Sequence, residues 1–352
     1  MESSIANMDY LAARLHGRRS RLAEGERLDS LSRSKSFPVF AQAVFADTII
    51  KTAAETQQRL VRELMLEMST LLHHLTGVKA RLMEWMLMQF QIVNLKIMIR
   101  GFFSHTPPEI LRNYLIPLPG QFALEEAALL KAQSLEDLAQ LLPAEPLGRM
   151  LHDTLNICHN QQEPFFVEAT LDQKYFQEEL VRAHKLSHEE HNKIMPLIMQ
   201  EIDIFHLMLV LRGRFHHKVD PQVLASLQVE GTHLSHHRFK AMLTAPDATA
   251  VAQIAIGRVL DSFPSTFATD TTPVSLDLPT LEALAWKRYL KLANRIFRQS
   301  LTDFGIIAGY IGVRRMENIN LITLSEGIRA PISDKTLRLR MIPPLPPETS
   351  HA

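Results

Sequence analysis

Nine of the sixteen histidines fall between His184 and His237, and that density raises metal chemistry first. His184, His188 and His191 stand at i, i+4 and i+7, a spacing that on one helix could present three imidazoles to zinc. Ser187, with Glu190 three residues on, has the form of a capping box, so a helix starts there and His184 belongs to another segment. In His188-Glu-Glu-His191 the second histidine comes one residue too early for the His-Glu-x-x-His pattern of zinc hydrolases. Solvated surface histidines are the plainer account. A helical metal-binding protein or hydrolase using the His184–His237 cluster stands as the alternative. There is no glycine-rich phosphate loop, no nucleophile elbow and no carboxylate pair in a setting that would perturb it. No catalytic residue, cofactor-binding residue or metal ligand is therefore assigned, and no cofactor or small-molecule substrate is expected.

Other clusters read as surface or core. Arg14, Arg18, Arg19 and Arg21 are followed by Glu24, Glu26 and Asp29 without an aromatic ladder, which argues against a nucleic-acid groove. The balance of 38 basic against 38 acidic residues removes the global field that such binding needs. The 15 methionines, Met83, Met86, Met88 and Met98 among them, suit core filling better than a pliable ligand groove. A single cysteine, Cys158, cannot make an intramolecular disulfide, and the N-terminus lacks a basic stretch followed by an apolar run. A cytoplasmic location is the expectation. Ile194 to Phe215, the most apolar stretch, carries Pro196, Glu201, Asp203, His206 and Arg212, which would be costly in a membrane span. The chain is expected to be at most peripheral to a membrane.

The elements behind these residues are helices. Thr48 to Phe103 has no proline and, before Gly101 near its end, one glycine, Gly77, among straight-chain helix formers, which predicts two long helices split near Gly77. Leu60, Leu64, Met68, Leu71 and Leu75 form one apolar stripe. Beyond the split, Trp85, Met88, Ile92, Leu95 and Ile99 form a second stripe, with Met86, Phe90, Val93 and Ile97 beside it, so that helix should be buried on most sides. Pro107 and Pro108, Pro117 and Pro119, and Pro143 and Pro146 then cut the chain into short pieces. Pro264 to Pro279 reads as a linker. Alternating runs with hairpin turns are scarce, and the fold class expected is all-α.

A weak threefold self-similarity organises these helices. Gln91-Ile-Val-Asn94 to Gly101, Asp203-Ile-Phe-His206 to Gly213 and Glu317-Asn-Ile-Asn320 to Gly327 align without gaps, about 113 residues apart. Each has an acid or amide three residues before Asn or His, then leucine, then glycine seven residues on. On a helix the polar pair shares a face, where the two side chains can bond each other or a common partner. The glycine is placed to close the helix in the left-handed conformation. Pro108-Glu-Ile-Leu and Pro221-Gln-Val-Leu follow the first two glycines as proline-started helices. The boundaries drawn are 1–122 for a first repeat with an N-terminal arm, 123–234 for a second, and 235–352 for a third with an extended tail.

On these features the chain resembles the C-type subunit family of archaeal and bacterial V/A-type ATPases, equivalent to the d-type subunit of the eukaryotic V-type pump. Tyr10, Ala13, Arg14, Ser20, Arg21 and Leu22 look like that family's opening pattern. Tyr310 to Asn320, with Arg314, Arg315 and Glu317, is similar to its Glu-x-x-Asn helix, and Leu171-Asp172 to Tyr175-Phe176 to its Leu-Asp-x-x-Tyr segment. Gln91 stands in place of the family's acid and His206 in place of its amide, and the tail from Arg329 is longer and more basic. The resemblance implies a funnel of three similar helical domains about a pseudo-threefold axis. It implies a non-catalytic central-stalk subunit whose wide end sits on the membrane proteolipid ring and whose socket holds the shaft subunits D and F, on the cytoplasmic face of the membrane. Torque for proton or sodium transport would pass through it without chemistry.

Overall fold

A computed structural model describes residues 2–158, 163–261, 277–301, 303–330 and 332–346. Among them every regular element is a helix and none is a strand. In chain order these are α1 (Glu2–Arg19), α2 (Gly25–Ser32), α3 (Phe37–Val44), α4 (Ala53–Leu72), α5 (Gly77–Phe103), α6 (Pro108–Arg112), α7 (Glu126–Leu129), α8 (Leu135–Leu141) and α9 (Arg149–Ile157). They continue as α10 (Pro164–Ala183), α11 (His188–Val210), α12 (Pro221–Ala225), α13 (His236–Thr244), α14 (Ala248–Asp261), α15 (Leu278–Gln299), α16 (Phe304–Gly327) and α17 (Asp334–Leu339). The expected linker lies outside the described residues except for 277–279, where Asp277 caps α15 by accepting from Thr280 N at 3.0 Å. Ser187 caps α11 as its position predicts, accepting from Glu190 N at 3.4 Å while its hydroxyl bonds Glu190 Oε2 at 2.9 Å. The split between α4 and α5 falls at Gly77, whose φ of +61° is the left-handed turn that glycine makes at least cost.

The chain divides into two compact units. The smaller comprises residues 58–186 and 226–229, the larger residues 1–57, 187–225 and 230–352. Compactness and repetition are different partitions of one chain, so this division leaves the three repeat boundaries as an expectation.

In the smaller unit α5 packs against α10. Leu82, Met83, Trp85, Met86, Met88, Ile92, Leu95 and Ile99 are buried, whereas Val93 and Ile97 are only partly covered, so the second stripe of α5 is the thinner one. Trp85 stacks on Tyr175 with centroids 5.7 Å apart and donates through Nε1 to the Tyr175 carbonyl at 3.1 Å. Farther along the seam Lys96 pairs with both oxygens of Asp172 at 2.7 Å, and Arg100 forks onto Glu168 at 2.6 and 2.5 Å. Residue numbers rise along α5 as they fall along α10, which makes the pair antiparallel.

The larger unit is built on α15 and α16, with α11 against them. Alanine and glycine let α15 and α16 approach closely. A Cβ added to Gly309 would lie 2.5 Å from the Phe297 amide nitrogen and 2.9 Å from the Ala293 carbonyl, and one on Gly312 would lie 2.7 Å from the Ala293 methyl. The obstacle at Gly309 is backbone and cannot rotate away. Gly309→Ala is therefore expected to destabilise the unit by about 2 kcal/mol despite alanine's better helix propensity, checked as a lower urea midpoint.

Among the described residues one helical stretch, His188–His216, is long and apolar enough to cross a membrane. Its apolar window is 83% buried inside the protein, so the unit's own core covers that surface.

Candidate functional site

The three sequence windows become three buried helix ends, and each side chain singled out there is tied to main chain or tightly packed. Asn94 in α5 is fully buried, donating to the Ile116 carbonyl and accepting from the Ile116 amide, both at 2.8 Å. Asn320 in α16 does the same with Ile342, again 22 residues on and with both bonds at 2.8 Å. A carboxamide is the side chain that can satisfy an adjacent N–H and C=O together. Asn320→Ala would leave both buried groups of Ile342 without it, and we expect a loss of about 2 kcal/mol, seen as a lower melting temperature.

The polar partner three residues earlier behaves differently from the sequence expectation. It reaches a separate backbone segment. Gln91 donates to the Phe122 carbonyl at 3.1 Å, and Asp203 accepts from Leu234 N at 3.1 Å, each 31 residues downstream. Glu317 accepts from Ala23 N at 2.6 Å, 294 residues upstream. In each case the side chain supplies a hydrogen bond to a loop that the helix ladder cannot reach.

His206, in the Asn position of the second window, is buried beside the Phe205 and Phe239 rings, the latter 4.9 Å away. Burial pushes its imidazole down to about 4 against the opposing pull of the Asp203 carboxylate. Asp203 also holds His233, with Nδ1 at 3.2 Å.

The glycines also correct the sequence expectation. Gly101, Gly213 and Gly327 do not have left-handed backbone, and their value is space. A Cβ on Gly101 would lie 2.6 Å from Leu111 Cδ1, one on Gly213 would lie 2.6 Å from Leu224 Cδ2, and one on Gly327 would meet Leu337 in the same way. The left-handed turn falls instead on His105 (φ 52°) and Lys218 (φ 56°), just before the helices begun by Pro108 and Pro221. There Thr106 N and Val219 N reach back to the carbonyls of Gly101 and Gly213 at 2.9 and 2.8 Å, closing the two helices alike. In the second window Leu211–His216 is a π-helical turn, which adds a residue between glycine and leucine.

Several contributors at these helix ends carry no helical-spacing signal. Gln58 donates to the carbonyls of Asn113 and Leu115, both at 2.8 Å, and Gln173 donates to those of Ser226 and Gln228 at 2.8 and 3.2 Å. In both cases a glutamine on the preceding long helix holds the loop after the glycine. A signal for the third copy was present: Leu111-Arg-Asn-Tyr-Leu-Ile-Pro117 and Leu337-Arg-Leu-Arg-Met-Ile-Pro343 share Leu, Arg, Ile and Pro at matching positions. Asn320 holds Ile342 as Asn94 holds Ile116, which places the matching segment at the third helix end, and only 331 and 347–352 of the tail lie outside the described residues.

The larger unit shields charged pairs deeply. Arg315 forks onto Glu201 at 2.5 and 2.9 Å and donates to the Tyr289 hydroxyl at 3.1 Å, with both charged side chains almost wholly shielded. Arg314 bonds Glu317 and Asn318, each at 2.5 Å.

His184 ends α10, while His188 and His191 begin α11, where His188 bonds Asn192 at 3.1 Å. Among the described residues no three His, Cys, Asp or Glu side chains come together as a metal site. The arrangement pins loops to long helices through side-chain bonds to main chain.

The chain matches the family model described as ATP synthase (C/AC39) subunit over residues 11–340. It is 23% identical over 251 residues to the C-type subunit of the A-type ATP synthase of Methanosphaera stadtmanae, a match covering 70% of this chain and 63% of that protein. It is 24% identical over 220 residues to the C-type subunit of the V-type ATP synthase of Deinococcus radiodurans, covering 58% of this chain and 60% of that protein. The matched region thus spans less than two thirds of either relative.

Proposed function

Because the chain belongs to the ATP synthase (C/AC39) subunit family, we propose that it is a non-catalytic coupling subunit in the rotor of an A/V-type ATPase or ATP synthase. The match across residues 11–340 carries this reading. The pinned helix ends support it, since a part that passes torque needs rigidity and contact area and has no need of a reactive group. In this proposal the three windows mark three similar domains, 1–122, 123–234 and 235–352, about a pseudo-threefold axis. The central space takes the shaft subunits D and F. The broad end rests on the proteolipid ring, at the cytoplasmic face of the membrane, in the position of the d-type subunit in the eukaryotic pump.

Capture tests the proposal. The immobilised full chain should retain both a D–F shaft complex and a detergent-solubilised proteolipid ring from the same assembly. Retention of neither, with stoichiometric zinc binding lost on substituting His188, would instead favour the histidine reading.

A further inference from the structure

We propose that the N-terminal segment from Leu11 to Phe45 is the closing piece of the third helix end, supplied from the opposite end of the chain. The inference rests on the three-copy reading above. In the first two copies the residue three before Asn or His reaches a loop 31 positions downstream, Phe122 or Leu234. In the third copy that place is taken by Ala23, whose amide donates to Glu317.

The contact does not stand alone. Before it on the segment, Leu11 and Leu15 are fully buried, and the His16 ring lies 4.7 Å from that of Phe297. Arg19 crosses the same Phe297 ring and donates to Asn294 at 2.5 Å. After it, the buried Arg338 of α17 donates to Asp29 at 2.5 Å and Ser32 at 2.8 Å, while its Nε donates to the Pro346 carbonyl at 2.7 Å. Beyond these, Arg329 lies over the Phe37 ring and Phe40 is fully buried. Segment and tail are therefore fastened to each other as well as to α15 and α16.

Such a strap should open as one piece, because its two polar clasps, at Glu317 and at Arg338, hold the same short run of chain. Hydrogen exchange on the isolated full-length chain tests this, with no partner present, so failure here would leave the coupling role untouched. In Glu317→Ala, exchange across α2 and α17 should speed up by about tenfold, although Glu317 bonds Ala23 and Arg314, which belong to neither helix, while α5 and α10 keep their rates. Glu317→Gln, which keeps an acceptor for the Ala23 amide, should retain most of the protection. Asp29→Ala, which removes the acceptor at the other clasp, should loosen Ala23 and the end of α1 together with α17. Faster exchange confined to Ala23 in the first variant and to Arg338 in the last would overturn the proposal. So would a loss of protection that extends equally into α5, because the strap would then have no opening of its own.

Discussion

Glu201→Ala is expected to destabilise the larger unit by about 3–5 kcal/mol, more than any other single change proposed for it. The carboxylate receives two bonds from Arg315, and the pair is shielded enough that water cannot replace the lost partner. Arg315 also faces the Trp286 and Tyr289 rings, at 5.9 and 5.6 Å, which weakly compensate a cation and do not neutralise it. Removing the acid takes the two-bond partner from a shielded guanidinium, whereas removing both charges leaves no such cation behind. The double variant Glu201→Leu with Arg315→Met should therefore cost less than Glu201→Ala alone, and urea titrations of the three proteins decide it. A loss below about 1 kcal/mol in the single variant would mean that the pair is far more solvated than its geometry indicates.

The second large effect depends on pH. At neutral pH the His206 imidazole is uncharged in the folded chain, and burial holds its folded pKa at about 4, below its unfolded value. As pH falls, the unfolded chain takes up that proton first, so this contribution is fully present above the unfolded value and is lost as pH drops toward 4. The shift corresponds to about 3 kcal/mol by the time the folded imidazole is protonated. Other groups also contribute to the acid dependence, among them Glu24, Glu126 and Glu326, whose carboxyls burial raises. The informative quantity is thus the difference between wild type and His206→Asn, the residue found in the other two windows. The variant should show a shallower fall in stability between about pH 6.5 and 4, and identical slopes would contradict the assignment.

How legible this was in the sequence depended on the range of the interaction. Helix content, the split at Gly77 and the Ser187 cap were readable because each is decided within a few residues by propensity, backbone freedom or a local bond. The windows at Gln91, Asp203 and Glu317 could be aligned from the same local periodicity. What those residues do was misread, since a partner 31 residues away leaves no trace in helical spacing. The glycines misled for a related reason: a glycine near a helix end serves both left-handed turns and close packing, and only the leucines facing Gly101, Gly213 and Gly327 distinguish the two. The paired carbonyls held by Gln58 and Gln173 were out of reach, as glutamine on a helix is usually solvated. By contrast, the third copy of the post-glycine segment was readable in Leu337 to Pro343 and was obscured by taking Arg329 onward as a tail.

The central claim, that this chain couples motion and performs no chemistry, is tested most directly by rebuilding the assembly with and without it in sealed vesicles. The expected result is that ATP hydrolysis by the catalytic head persists without the chain, ATP-driven ion uptake disappears, and adding the purified chain back restores uptake. Full ion uptake in its absence, or a stoichiometric catalytic activity of the chain on its own, would contradict the account.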